Sequence, residues 1–192
     1  MKLAKYLGIL GLIGSLLTGC VVAAITAGVT IGGIVIYEGR SPSTLHSDNK
    51  ISYDAEHKIF ADKELDKKTR IVVSSFNGVV LLAGEAPTEE MRARAGQLVQ
   101  TVPGIKRLYN EVTLGTPISA LTQSSDSLIT SKIKTQLLAT KSLNASQMKI
   151  VTENGTVFML GSVTRSQGKT AADIASRSSG VQKVVTLFEY VE

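Results

Sequence analysis

Few side chains in this sequence could take part in covalent or metal chemistry. There is one cysteine, Cys20, and there are two histidines, His46 and His57. An ionised thiol is a strong nucleophile, and Cys20 closes an apolar run, directly after Leu17-Thr18-Gly19. If that thiol is consumed, two imidazoles are too few for a Cys/His metal centre, and His46 falls in an expected linker. No plausible catalytic base stands near any serine, so a Ser-His-Asp arrangement has little support. The glycines of Gly28-x-x-x-Gly32-Gly33 follow no expected strand and precede no phosphate-loop lysine. Acidic residues are scattered, and none form a marked pair. Neither catalysis nor a small-molecule substrate is expected.

What remains is the thiol. Lys2 and Lys5 form a positive leader, Leu7 to Leu17 an apolar core, and small residues precede Cys20, the layout of a secretory signal over residues 1–19. Leu17-Thr18-Gly19-Cys20 resembles the lipobox read by bacterial lipoprotein processing. That resemblance implies diacylglyceryl attachment at Cys20, cleavage before it and acylation of the new amino terminus. Several acyl chains hold far better than one, since each buried CH₂ contributes about 0.8 kcal/mol. Two other accounts stay open: a solitary buried cysteine, or a spanning helix over Cys20–Tyr37, close to the roughly 20 apolar residues a span needs. Gly28, Gly32, Gly33 and the lack of a preceding basic cluster count against a span. With one cysteine, no disulfide can form within a monomer. Val21, where aspartate would signal inner-membrane retention, implies export to the outer membrane, facing the periplasm.

The net charge is +5, and Lys2 and Lys5 belong to the leader. Residues 46–117 hold ten groups of each sign, and residues 118–192 hold eight basic against five acidic groups. A surplus of three is too small to select nucleic acid, but it inclines a surface toward anionic lipid.

The elements that would carry such a surface come in two copies. Asn77-Gly78-Val79-Val80-Leu81-Leu82-Ala83-Gly84 aligns with Asn154-Gly155-Thr156-Val157-Phe158-Met159-Leu160-Gly161, a repeat that implies one structural unit used twice. Each Asn-Gly is preceded by a β-branched run and marks a hairpin, because both residues tolerate positive φ. A helix follows in each copy. In the first, Thr88 is the expected N-cap, with Met91, Ala95, Leu98, Val99 and Val102 at helical spacing. In the second, Ala171, Ala172, Ile174, Ala175 and Val181 play this part. Final strands are expected over Lys106–Leu114 and Gln182–Val191, and leading amphipathic helices over Asp54–Leu65 and Asp126–Ala139. The order helix-strand-strand-helix-strand, repeated, makes an α+β protein. Gly84 and Gly161 are expected to be structural, admitting a packed helix where a side chain would collide.

Both halves resemble BON domains, through the leading helix, the glycine closing the second strand, and the entries Gly104-Ile105-Lys106-Arg107-Leu108 and Gly180-Val181-Gln182-Lys183-Val184. The resemblance implies α-β-β-α-β units, each a three-stranded mixed sheet against two helices. The expected boundaries are a lipidated N-terminus and linker over 20–45, a first domain over 46–116 and a second over 124–192.

On the 126–139 helix, Ile129, Ile133 and Leu137 stack on one side, while Leu128, Ser131, Lys132, Thr135 and Leu138 fall on the other with Lys134 at its edge. Apolar groups mixed with ammonium groups suit an interfacial helix. The competing account is an ordinary solvated face with two stray leucines. The resemblance to dual BON-domain lipoproteins favours the first, implying that this face binds anionic phospholipid, with a role in envelope integrity and enrichment at division sites. Where Leu128 stands, relatives carry tryptophan, so apolar insertion is kept and an indole N–H lost. A different class of function stays open: a non-catalytic adaptor for envelope proteins such as the outer-membrane assembly machinery. The leading helix of the first domain carries a balanced mix of charges and offers no equivalent lipid-facing surface.

Overall fold

The computed structural model describes residues 28–31, 34–37 and 40–192. The expected signal peptide and the Cys20 attachment site lie outside them. Within the apolar segment after Cys20, β1 (Gly28–Ile31) pairs antiparallel with β2 (Ile34–Tyr37). The β-branched residues here, interrupted by glycines, favour strand over helix. No helix of the described residues is long and apolar enough to cross a membrane.

The first domain runs α1 (Pro42–Ala61), α2 (Lys63–Lys68), β3 (Arg70–Phe76), β4 (Val79–Ala86), α3 (Glu89–Gln100) and β5 (Arg107–Leu114). The second runs α4 (Ala120–Ala139), a 3₁₀ turn (Ala145–Gln147), β6 (Met148–Glu153), β7 (Thr156–Val163), α5 (Arg165–Arg177) and β8 (Lys183–Tyr190). In each sheet the middle strand, β4 or β7, pairs antiparallel with the strand before it and parallel with the strand after α3 or α5. The hairpins turn at Asn77-Gly78 and Asn154-Gly155, all four residues at positive φ, as a two-residue turn matching strand twist requires. Thr88 caps α3 by accepting from the Met91 N–H, and Thr164 caps α5 in a capping box with Gln167.

Both leading helices start earlier than the apolar pattern indicates. Ser41 and Ser119 are their N-caps, accepting from the Thr44 and Thr122 N–H, and Pro42 takes the first-turn position where a missing N–H is harmless. The segment expected as linker over 20–45 therefore holds a strand pair and the start of α1, and His46 lies on α1. The stretch expected as one helix over Asp54–Leu65 breaks at Asp62, which ends α1 and caps α2. Val102 and Val181 lie beyond the ends of α3 and α5 but still pack on their domain cores.

The strands β4 and β7 are apolar on both faces, and the tertiary structure shows what covers each. Val80 and Leu82 face α1 and α3, while Val157 and Met159 face α4 and α5. On the opposite faces Phe76, Val79, Leu81 and Ala83 meet Phe158, Leu160 and Leu187 in a third core. The protein is thus a four-layer stack, helices, sheet, sheet, helices, with the domains joined through their sheets. Polar links border the joint: Arg70 pairs with Glu153, and Lys149 Nζ donates to the Ser75 carbonyl at 3.2 Å.

Gly84 and Gly161 are structural, but the obstacle differs from the one expected. A Cβ on Gly84, which sits at φ +122°, would strike the Arg70 carbonyl of β3, and one on Gly161 would lie 2.6 Å from the Gln147 carbonyl. The excluding backbone is that of β3 at Gly84 and of the turn leading into β6 at Gly161, whereas the packed helix is not the obstacle.

Candidate functional site

The site is built on α4, and its orientation is set by what the helix buries. Asp126, Ile129, Ile133 and Leu137 are its buried residues. Three supply apolar packing on the sheet. Asp126 does something the sequence pattern missed: its Oδ2 accepts from the Asn154 N–H at 2.8 Å and its Oδ1 from the Gly155 N–H at 2.9 Å. A carboxylate satisfied by two backbone donors locks the helix to the hairpin turn.

With that side held, the opposite side faces outward. Leu128 is 62% and Leu138 43% exposed, and Lys132 and Thr135 are exposed beside them. Ser131 and Lys134 are half-buried. Ser131 donates its hydroxyl proton to the Ser127 carbonyl at 2.9 Å, and Thr135 donates to the Ser131 carbonyl at 2.9 Å. Their hydroxyl oxygens remain acceptors, so the ammonium groups are the face's principal donors. Leu121 also lies on this face and is 81% exposed; the sequence pattern omitted it because the helix was expected to begin at Asp126. No acidic residue occurs in 127–152; of the lysines there, Lys132, Lys134 and Lys141 accompany α4, while Lys149 is committed to the Ser75 carbonyl at the domain joint. The arrangement can insert aliphatic groups into an apolar layer and hold ammonium groups against anions above it.

The equivalent helix α1 repeats the scaffold without the surface. Its buried residues are Asp48, Ile51, Ala55 and Ile59, each 78 positions before its counterpart in α4. Asp48 holds the first hairpin turn by the same bonds, accepting from the Asn77 N–H at 2.8 Å and the Gly78 N–H at 2.9 Å. It also accepts from Ser75 Oγ at 2.7 Å and pairs with the buried Arg40 guanidinium, which lies over the Phe76 ring, 4.4 Å from its centroid. Outward, however, Lys50 stands where α4 has Leu128, Asp54 where it has Lys132, and Glu56 where it has Lys134. The signal that could have exposed the buried aspartates is an acidic residue in line with an apolar helical stripe, 29 and 28 positions before the two Asn-Gly turns.

The domain joint carries its own electrostatics. Glu85 is 3% exposed at the end of β4, and burial pushes its carboxyl above the ordinary value. The Ile118 N–H and the Arg70 charge offset this in part, while Glu153 and Asp126 add to it. Among the described residues no group of three or more His, Cys, Asp or Glu could hold a metal ion.

Two α-β-β-α-β units with mixed three-stranded sheets define a tandem of small α+β modules, and the BON domain family model matches residues 47–116 and 125–192. The chain belongs to the BON domain family, as a non-catalytic member with two copies. It is 36% identical over 176 residues to "Outer membrane lipoprotein DolP" of Haemophilus influenzae, covering 92% of this chain and 91% of that protein. It is also 36% identical over 153 residues to "21 kDa hemolysin" of Actinobacillus pleuropneumoniae, covering 80% and 79% respectively.

Proposed function

We propose that this protein is an outer-membrane lipoprotein, anchored through acylated Cys20 and facing the periplasm, that binds anionic phospholipid through the outer face of α4. Leu128 and Leu138 enter the acyl boundary, and Lys132 and Lys134 meet the phosphates. Its role is to support outer-membrane integrity where anionic lipids gather, at division sites. The observation that carries this reading is the contrast between α4 and α1, two helices with one buried scaffold, of which only α4 sets exposed leucines among lysines. The anchor is supported by the lipobox-like Leu17-Thr18-Gly19-Cys20 and the location by the name of the Haemophilus relative. The test is pelleting of the full chain with vesicles of neutral or anionic lipid. Anionic vesicles should retain more protein, and a Leu128→Glu/Lys132→Glu double variant should lose that difference. Equal retention on both vesicle types counts against the reading.

A second reading has an observation of its own. On α1, Tyr53 is 67% and Phe60 57% exposed, and exposed aromatics suit protein contacts. This favours an adaptor role for the first domain toward envelope proteins such as the outer-membrane assembly machinery. Crosslinking in cells separates the two: an adduct that depends on Tyr53 and survives the α4 double variant supports the adaptor.

A further inference from the structure

The outward side of α4 is not uniform along its length. Residues 112–125 carry no charged side chain, whereas 127–152 carry lysines and no carboxylate. The change falls at Asp126, whose charge is buried and committed to the Asn154-Gly155 turn. At the neutral end Leu121 has the highest exposure of any large apolar side chain among the described residues, at 81%. It precedes Leu128 by about two helical turns, roughly 10 Å along the axis and on the same line. The equivalent position in α1 is Ser43.

Several of the polar side chains at this end are bonded within or beside the helix. Ser119 accepts from the Thr122 N–H at 3.2 Å. Ser124 Oγ donates to the Ala120 carbonyl and Ser127 Oγ to the Gln123 carbonyl, both at 3.0 Å. Entry into an apolar layer costs most for charged groups, so the first stretch of α4, which carries no charge, is the part of the face least penalised by depth. The cationic part begins at Lys132 and continues to Lys141, past the helix end.

We infer that α4 meets the lipid surface tilted, its N-terminal end deepest. Leu121 and Leu128 sit in the acyl boundary, and Lys132 and Lys141 stay level with the phosphates. This rests on the docking proposed above and adds to it a direction and a further contact residue, Leu121. The chain contains no tryptophan, so single Leu121→Trp, Leu128→Trp and Leu138→Trp variants of the full chain report depth without background. On phosphatidylglycerol-containing vesicles brominated at set positions along the acyl chain, quenching should place position 121 deepest and 138 shallowest. A solvent-exposed 121 beside a buried 128, or a 138 deeper than 121, overturns the tilt and leaves docking intact. No quenching at either 121 or 128 overturns both. A Leu121→Glu variant should bind these vesicles about tenfold more weakly with an unchanged thermal midpoint, since the side chain touches no core; unchanged binding overturns the role of Leu121.

Discussion

The helices α1 and α4 are one design with two exteriors. Each is capped by a serine, each buries an aspartate under an Asn-Gly turn, and each presents three further buried residues at matching positions to its sheet. Outward, Ser43, Lys50, Asp54 and Glu56 in α1 become Leu121, Leu128, Lys132 and Lys134 in α4. Duplication kept what the fold needs and let the solvent side diverge, so residues that differ between the copies at exposed positions are those free to serve a function. That separation can be broken or sharpened by substitution.

The largest effect is expected inside the shared scaffold. Asp48→Ala removes the acceptor for two backbone N–H groups and the Ser75 hydroxyl and takes the carboxylate from the buried Arg40 guanidinium, a loss of about 3–5 kcal/mol. Asp126→Ala removes two backbone bonds with no such cation beside it and should cost about 1–3 kcal/mol. Urea unfolding of the two variants measures the gap, and equal losses would show that the Arg40 pair and the Ser75 bond add nothing. Ile133→Ala gives α4 the residue that α1 carries as Ala55; the cavity should cost about 2–5 kcal/mol, read by thermal unfolding.

Outside the scaffold the effect moves from stability to binding. Lys132→Asp gives α4 the residue that α1 carries as Asp54. Reversing one charge at an anionic surface, at about 1 kcal/mol per charge, should weaken retention on anionic vesicles about thirtyfold while leaving the unfolding midpoint within a degree or two. The converse Asp54→Lys in α1 should change retention by no more than about twofold, because Lys50 stands there in place of the inserting Leu128.

The smallest effect concerns the joint that makes the two exteriors face opposite ways. Glu85 holds its proton more tightly in the folded chain than in the unfolded one, chiefly through burial, so its charged form disfavours folding. That penalty is present above the raised folded value and is relieved as pH falls through it, disappearing below the ordinary carboxylate range. Glu85→Gln should be more stable than the parent at neutral pH and lack this gain on mild acidification. Thermal midpoints from neutral to mildly acidic pH test it, and a parallel pair of curves would rule Glu85 out as the source.

Much of this was legible in the residues. The Asn-Gly turns, the Thr88 cap and the Ile129-Ile133-Leu137 stripe follow from local rules, since turn conformation, capping and helical periodicity depend on neighbours within a few positions. The outward placement of Leu128 and Leu138 followed from the same projection. Less legible were the first turns of α1 and α4, where polar serines and threonines break the apolar pattern although Ser41 and Ser119 are good caps; Leu121 was lost with them. The obstacle at Gly84 and Gly161 is not legible in the residues, because it depends on which backbone carbonyl, of β3 or of the turn before β6, the fold brings against each glycine.

The sequence by itself determined that there are two repeats, where their hairpins turn, and which side of each helix is apolar. Only the tertiary structure decided that the two sheets cover one another through Phe76, Leu81, Phe158 and Leu160, that Arg70 meets Glu153 across the joint, and that Asp48 and Asp126 clamp their turns. Periodicity tells a strand which face must leave water, but what covers that face is a long-range choice among all apolar surfaces of the chain, settled by shape and burial between residues some 80 positions apart.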